Sequence, residues 1–122
     1  MIANESDFRW IADRIVALLD PDRIYLFGSY SLGTAHDQSD IDLLIVVPSG
    51  LPRWHRGKNV VAAMRAFPSE FDLLFYTPQE LEEELQDPYS FAARVLGNGR
   101  LLYSKLGESE QEEVIGGPSC SA

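Results

Sequence analysis

Gly28-Ser29, ten further residues, then Asp40-Ile41-Asp42 running into Leu43-Leu44-Ile45-Val46-Val47: no other stretch constrains this chain as much. The apolar run reads as a strand buried on both faces. Side chains alternate between the two faces of a strand, so Asp40 and Asp42 point the same way from neighbouring pleats. Two carboxylates placed like this can grip one hard cation or share two. A Gly-Ser turn closing the preceding apolar segment offers backbone N–H groups and a hydroxyl to a phosphate. Each part has an ordinary reading: Gly-Ser as a turn, Asp-x-Asp as a solvated loop edge, Ser39-Asp40 as local turn chemistry. A carboxylate at the mouth of a buried strand, however, is costly unless something positive meets it. The combination points to metal-assisted phosphoryl or nucleotidyl transfer.

A second apolar strand, Phe71-Asp72-Leu73-Leu74-Phe75-Tyr76, carries one acid near its start. Taken alone, Asp72 is an edge-strand carboxylate facing water. Gly28-Ser29 followed by Asp40-x-Asp42 resembles the signature of the nucleotidyltransferases of the DNA polymerase beta superfamily, and Asp72 falls roughly where that family carries its third aspartate. The resemblance covers about Asp22 to Tyr103. At this size it is to the minimal nucleotidyltransferases, which lack an appended acceptor-binding domain and are paired with helical HEPN-type proteins in toxin–antitoxin modules.

The resemblance implies an α/β fold, a small mixed sheet covered by helices. It implies two magnesium ions (manganese as a substitute) held by Asp40, Asp42 and Asp72, with Asp72 also the proton acceptor. Gly28, Ser29 and Ser31 are then the nucleotide-binding residues, and ATP is the substrate. AMP passes to a hydroxyl, a tyrosine of the HEPN-type partner, within a heteromeric complex. Alternatives are a small-molecule enzyme of the aminoglycoside-modifying type, transfer to an RNA end, or a non-catalytic antitoxin that acts by contact. The chain departs from the family in one respect. Where relatives often place arginines just after Gly-Ser, it reads Tyr30-Ser31-Leu32. Phosphate contacts there fall to Ser29, Ser31 and backbone, or to Arg53 and Arg56 from elsewhere.

A net charge of −9 argues against a broad nucleic-acid surface, which needs clustered Lys and Arg. From Leu43 to Ser69 the balance inverts: Arg53, Arg56, Lys58 and Arg65 occur with no acid. This is either a polar helix face or a contribution to triphosphate binding. Glu82, Glu83 and Glu84 form an acidic run suited to a basic partner, or simply a solvated helix face. No apolar run is long enough to span a membrane, and the N-terminus lacks the basic and apolar regions of a signal peptide. With Cys120 as the single cysteine, the expected compartment is the cytoplasm. His36 and His55 are too scattered for a zinc site. His36 sits in the loop before Asp40, within approach of a nucleotide or merely solvated. Neither G-x-x-x-x-G-K nor G-x-G-x-x-G is present.

Periodicity and punctuation predict helix, strand, short helix, strand, helix, strand, two helices and a final strand. Phe8, Ile11, Ala12, Ile15 and Leu19 give the first helix an apolar stripe that Asp20-Pro21 ends. A short helix follows Ser29 over 30–33, and a longer one is expected over 51–67, closed by Pro68. Thr77-Pro78-Gln79-Glu80 is a capping box with proline at the first helical position. Asp87-Pro88 is expected to restart a helix that Gly97 ends, and 101–103 to form an edge strand. We place the nucleotidyltransferase domain at 1–106. Residues 107–122, rich in Glu, Ser, Gly and Pro, read as a disordered acidic tail.

Overall fold

The computed structural model describes residues 2–106, with the backbone alone at Trp54, so the tail lies outside the described residues. Helix α1 (Glu5–Leu19) opens with a reciprocal capping box between Asn4 and Asp7. It buries Phe8, Ile11, Ala12 and Ile15, the stripe the periodicity predicted, and Asp20 caps it in the left-handed conformation at φ 50°. Then come β1 (Arg23–Phe27), α2 (Ser29–Leu32), β2 (Ile41–Val46), α3 (Lys58–Met64), β3 (Phe71–Tyr76), α4 (Pro78–Glu84), α5 (Phe91–Asn98) and β4 (Arg100–Ser104). Among the described residues no helix is long and apolar enough to cross a membrane.

The four strands form one mixed sheet in the order β3-β2-β1-β4. β1 runs antiparallel to both β2 and β4, while β2 and β3 are parallel. Parallel neighbours require a crossover, which α3 supplies. Both faces are covered. Ile24, Leu26, Ile41, Leu43, Ile45 and Phe75 pack under α1 and α3 against Phe8, Ile11, Ile15, Val60 and Met64. Tyr25, Leu44, Val46 and Tyr76 pack on the other face against Leu81, Ala92 and Val95 of α4 and α5. Leu43, Leu44, Ile45 and Val46 have no exposed surface. That is the doubly buried strand read from the run of apolar residues.

Two expected helices are shortened. The segment 51–67 is a 3-10 turn over Arg53–His55 and then α3, because Gly57 takes φ +68° at the helix start. A Cβ at Gly57 would lie 2.3 Å from the Phe75 ring, so the bend also needs the missing side chain. Asp87-Pro88 forms a turn in which Asp87 accepts from the Tyr89 N–H at 2.9 Å. Ser90 then caps α5, accepting from the Ala93 N–H, and the helix runs past Gly97 to Asn98.

The bend before α3 serves Arg56, the one buried charged side chain among the described residues. Its guanidinium donates to both oxygens of Glu80, at 2.7 and 2.9 Å, and to the carbonyls of Leu51 and Phe75. Arg53 lies 3.7 Å from the same carboxylate and stacks over the Tyr76 ring at 4.3 Å. The fork-like pair to Arg56 is the main reason the Glu80 carboxyl falls to about 2. Glu80 also completes the Thr77 capping box, so one carboxylate joins the β2–α3 loop, the end of β3 and the start of α4.

Glu80→Ala should leave Arg56 buried and uncompensated, costing about 3 kcal/mol in urea unfolding at neutral pH. A depressed carboxyl contributes stability that is present above its unfolded value of 4.5 and lost as pH falls through about 2. Stability measured from pH 5 down to 2 should therefore fall less steeply in Glu80→Gln than in the wild type.

Candidate active site

In the parallel register Asp42 lies opposite Asp72, and in the antiparallel register it lies opposite Phe27. Residues paired in this way share a face, and adjacent strands lie about 4.8 Å apart. Asp72, Asp42 and Phe27 therefore form a row across three strands, on the face that α4 and α5 cover further along. Asp40, two residues ahead of Asp42, continues that face off the end of β2. The Ile41 N–H donates to the Glu70 carbonyl at 2.9 Å, so the two strand entrances are tied together. Asp40 and Asp72 are exposed and Asp42 is half-buried.

The three acids are neighbours rather than a finished cage. Among the described residues, no three Asp, Glu, His or Cys side chains already converge as a metal-holding cluster. Their proximity is nonetheless felt electrostatically. Burial first, then the charges of Asp72 and Asp40, push the Asp42 carboxyl up to about 6. A groove lined by Ser39, Met64, Arg65, Phe67 and Phe71 opens at this end of the sheet on the α1/α3 side, and it contains none of the three acids.

Gly28 ends β1 against this row. Its φ of 74° and ψ of −152° suit glycine alone, and a Cβ there would stand 2.1 Å from Asp42 Oδ2. The glycine is thus what lets the chain turn directly over the carboxylate. The N–H groups of Ser31 and Leu32 both donate to the Gly28 carbonyl, closing α2. The N–H groups of Ser29 and Tyr30 head this short turn, at the positions that a helix's own hydrogen-bond ladder does not use. Tyr30 anchors the turn by accepting from the Ala3 N–H at 3.1 Å and meeting Phe8 edge-on.

Several candidate residues have partners within the fold. The Ser31 hydroxyl lies 3.1 Å from the Gly28 carbonyl and 3.2 Å from the Asn98 carbonyl, binding α2 to α5 rather than facing a phosphate. Arg53 and Arg56 are engaged with Glu80 and Tyr76 at the opposite end of β3. Tyr76 lies four positions beyond Asp72, roughly 13 Å along a strand, so these arginines are engaged away from the aspartates. Lys58 is exposed at the start of α3 on the other face. Glu82 and Glu83 face solvent, whereas Glu84 turns inward to accept from the Tyr76 hydroxyl and the Ala92 N–H. His36 is exposed and shapes the loop before Asp40, where its Nδ1 accepts from the Gln38 N–H and its own N–H donates to Ser39 Oγ.

The model of the nucleotidyltransferase domain family matches residues 8–115. The chain belongs to that family. Over 44 residues it is 43% identical to protein adenylyltransferase MntA of Shewanella oneidensis. That stretch is 34% of this chain and 32% of MntA, so the match spans about a third of the curated relative. A crystal structure of a toxin–antitoxin with AMP-PNP contains a chain similar at a TM-score of 0.58 and 26% identity, over 85% of this chain and 77% of that one. A variant of the MntA–HpeT toxin–antitoxin gives 0.55 and 26%, over 91% and 79%. The mixed sheet and helical cover expected of a nucleotidyltransferase are present in this member of the family.

Two stability measurements probe the row of acids without any ligand. A carboxyl whose folded value is raised from 3.8 to about 6 contributes stability that is full below pH 4 and lost as pH rises through 6. In EDTA, the melting temperature should therefore drop over that window in the wild type. Asp42→Asn should flatten the drop and melt higher at pH 7. Gly28→Ala should destabilise by about 1–3 kcal/mol, the usual cost of a strained backbone position, because both its conformation and its space exclude a methyl.

Proposed function

We propose that this chain is a minimal nucleotidyltransferase that moves AMP from ATP to a hydroxyl, the tyrosine side chain of a helical HEPN-type partner, and silences that partner as its antitoxin. The observation that carries the chemistry is the strand register, which sets Asp42 beside Asp72 directly under the Gly28-Ser29 turn. The similarity to MntA, a protein adenylyltransferase, and to a toxin–antitoxin with AMP-PNP supports the choice of nucleotide and acceptor. The setting this implies is the cytoplasm.

The donor set fits a hard divalent cation. All its donors are carboxylate oxygens, and the proton-seeking Asp42 marks a place short of positive charge. Asp40, Asp42 and Asp72 would hold Mg2+ or Mn2+. When bound as a pair, such ions neutralise the departing pyrophosphate and acidify the attacking hydroxyl. Ser29 and the N–H groups of Ser29 and Tyr30 donate to the terminal phosphates. Asp72, the exposed member of the row on the outermost strand, accepts the proton of the acceptor hydroxyl. The acceptor oxygen bonds to the α-phosphorus as the bond to the β-phosphate oxygen breaks. Adenylated protein and pyrophosphate are the products, with no enzyme-bound intermediate. Because Asp40 and Asp72 lie exposed at the sheet end, the acceptor is a protruding segment of another protein rather than a molecule held in a deep pocket.

Intact-mass spectrometry of the partner co-expressed with the wild type should show added adenylyl groups, and none with Asp40→Asn. An unmodified but neutralised partner would instead favour an antitoxin acting by contact. Modification of an added aminoglycoside would favour the small-molecule enzyme. Magnesium with ATP should raise the melting temperature of the wild type and not of Asp42→Asn. Asp72→Asn should keep measurable ATP binding in calorimetry while transfer falls at least about 10²-fold.

A further inference from the structure

Phe27 is the cross-strand neighbour of Asp42 on the side away from Asp72, so its ring stands in the same row as the acids. Phe91, the first residue of α5, meets that ring edge-on with centroids 5.7 Å apart and planes at 86°. Phe27 is half-buried beneath, while Phe91 keeps 40% of its surface exposed. An exposed phenylalanine on a loose loop would mean little. This one sits on a pinned backbone. Ser90 caps the helix by accepting from the Ala93 N–H at 3.1 Å, and Glu84 accepts from the Ala92 N–H at 2.8 Å. Glu84 is held in turn by the Tyr76 hydroxyl at the far end of β3. The result is a partly exposed aromatic pair whose inner ring, Phe27, is the cross-strand neighbour of Asp42 on the face of the carboxylates.

We propose that Phe91, backed by Phe27, is the platform on which the nucleobase of the nucleoside triphosphate stacks. This rests on the nucleotidyl-transfer reading and assigns the half of the nucleotide that the acids and the Gly-Ser turn leave unheld. Those groups address phosphate and cation, and all of them are polar or charged. A base offers a flat π-face, for which a partly exposed ring backed by a second ring is a complementary surface. Stacking of this kind supplies affinity without reading base edges, since every base has such a face. The pair therefore takes nucleoside triphosphates generally, purines more tightly than pyrimidines through their larger overlap.

Calorimetry separates the base from the phosphates. With magnesium present, the wild type should bind ATP more tightly than inorganic tripolyphosphate. Phe91→Ala should weaken ATP binding at least about fivefold, the lower end of what losing one base–aromatic stack costs, with tripolyphosphate binding unchanged. Phe91→Leu keeps apolar bulk against Phe27 and should lose the same increment. Phe91→Tyr should retain it. Unchanged ATP affinity in both Phe91→Ala and Phe91→Leu overturns the platform while leaving the nucleotidyl-transfer reading intact. An equal loss for ATP and tripolyphosphate in Phe91→Leu also overturns it, assigning the ring a purely structural role. A wild-type protein that binds neither ligand overturns the nucleotidyl-transfer reading, and the platform with it.

Discussion

Strand β2 is buried on both faces from Leu43 to Val46, and this fixes how it pairs with β3. A slip of one residue would exchange the side chains facing α1 and α3 with those facing α4 and α5, setting two finished cores against the wrong partners. Apolar burial, worth about 1.5–3 kcal/mol for each large side chain, holds the register at every pair from Leu43 to Val46. The acids contribute nothing to that grip. Asp42 and Asp72 stand side by side because the hydrophobic part of the same two strands leaves them no other relation. The geometry of the polar end is thus set by the greasy middle, which tolerates a row of like charges.

The cost of that row is visible in Asp42, whose carboxyl is displaced upward by burial and by its two acidic neighbours. The chain does not relieve it with its own central cations. Arg56 and Arg53 are engaged around Glu80 at the opposite end of β3, where they hold loop, strand and helix together. The two ends of the sheet consequently have opposite characters. One end has its charges matched and closed, and it stabilises. The other is left mismatched and open, so a positive species entering there meets acids that already repel one another.

Much of this was legible in the sequence, for physical reasons that differ by element. The doubly buried run after Asp42 reads directly, because few polar interruptions are compatible with a central strand. The stripe of α1 and the Thr77 capping box read equally well, since both are local patterns. The segment 51–67 did not. Its apolar spacing suits one long helix, but Arg56 bends the chain to reach Glu80, 24 residues later, and no local pattern announces such a distant partner. For the same reason the sequence leaves open whether Arg53 and Arg56 meet phosphate and does not show that both gather at Glu80. At Ser31 proximity to the motif does not fix orientation, and its hydroxyl lies against the carbonyls of Gly28 and Asn98. Asp87-Pro88 looked like a helix start, yet the Asp87 side chain closes a turn on Tyr89 instead and leaves the capping to Ser90. The Phe27–Phe91 contact joins positions 64 residues apart and left no trace in either neighbourhood.

Strand β1 carries the turn over Asp42, yet its outer flank is paired by β4, the last strand of the sheet. Helix α5, just before β4, also holds α2 through Ser31 and covers Phe27. Chains fold as they emerge from the ribosome, amino end first. All three aspartates have been synthesised by residue 72, but the flank of β1 stays open until Arg100–Ser104 follows. During that interval the nascent chain presents a central strand open along one flank and a Gly-Ser turn without its support from α5. The sheet closes, and the acid end with it, only when β4 has left the tunnel. A chain cut between Asp72 and Arg100 would bear every acid of the row without the strand that completes their frame.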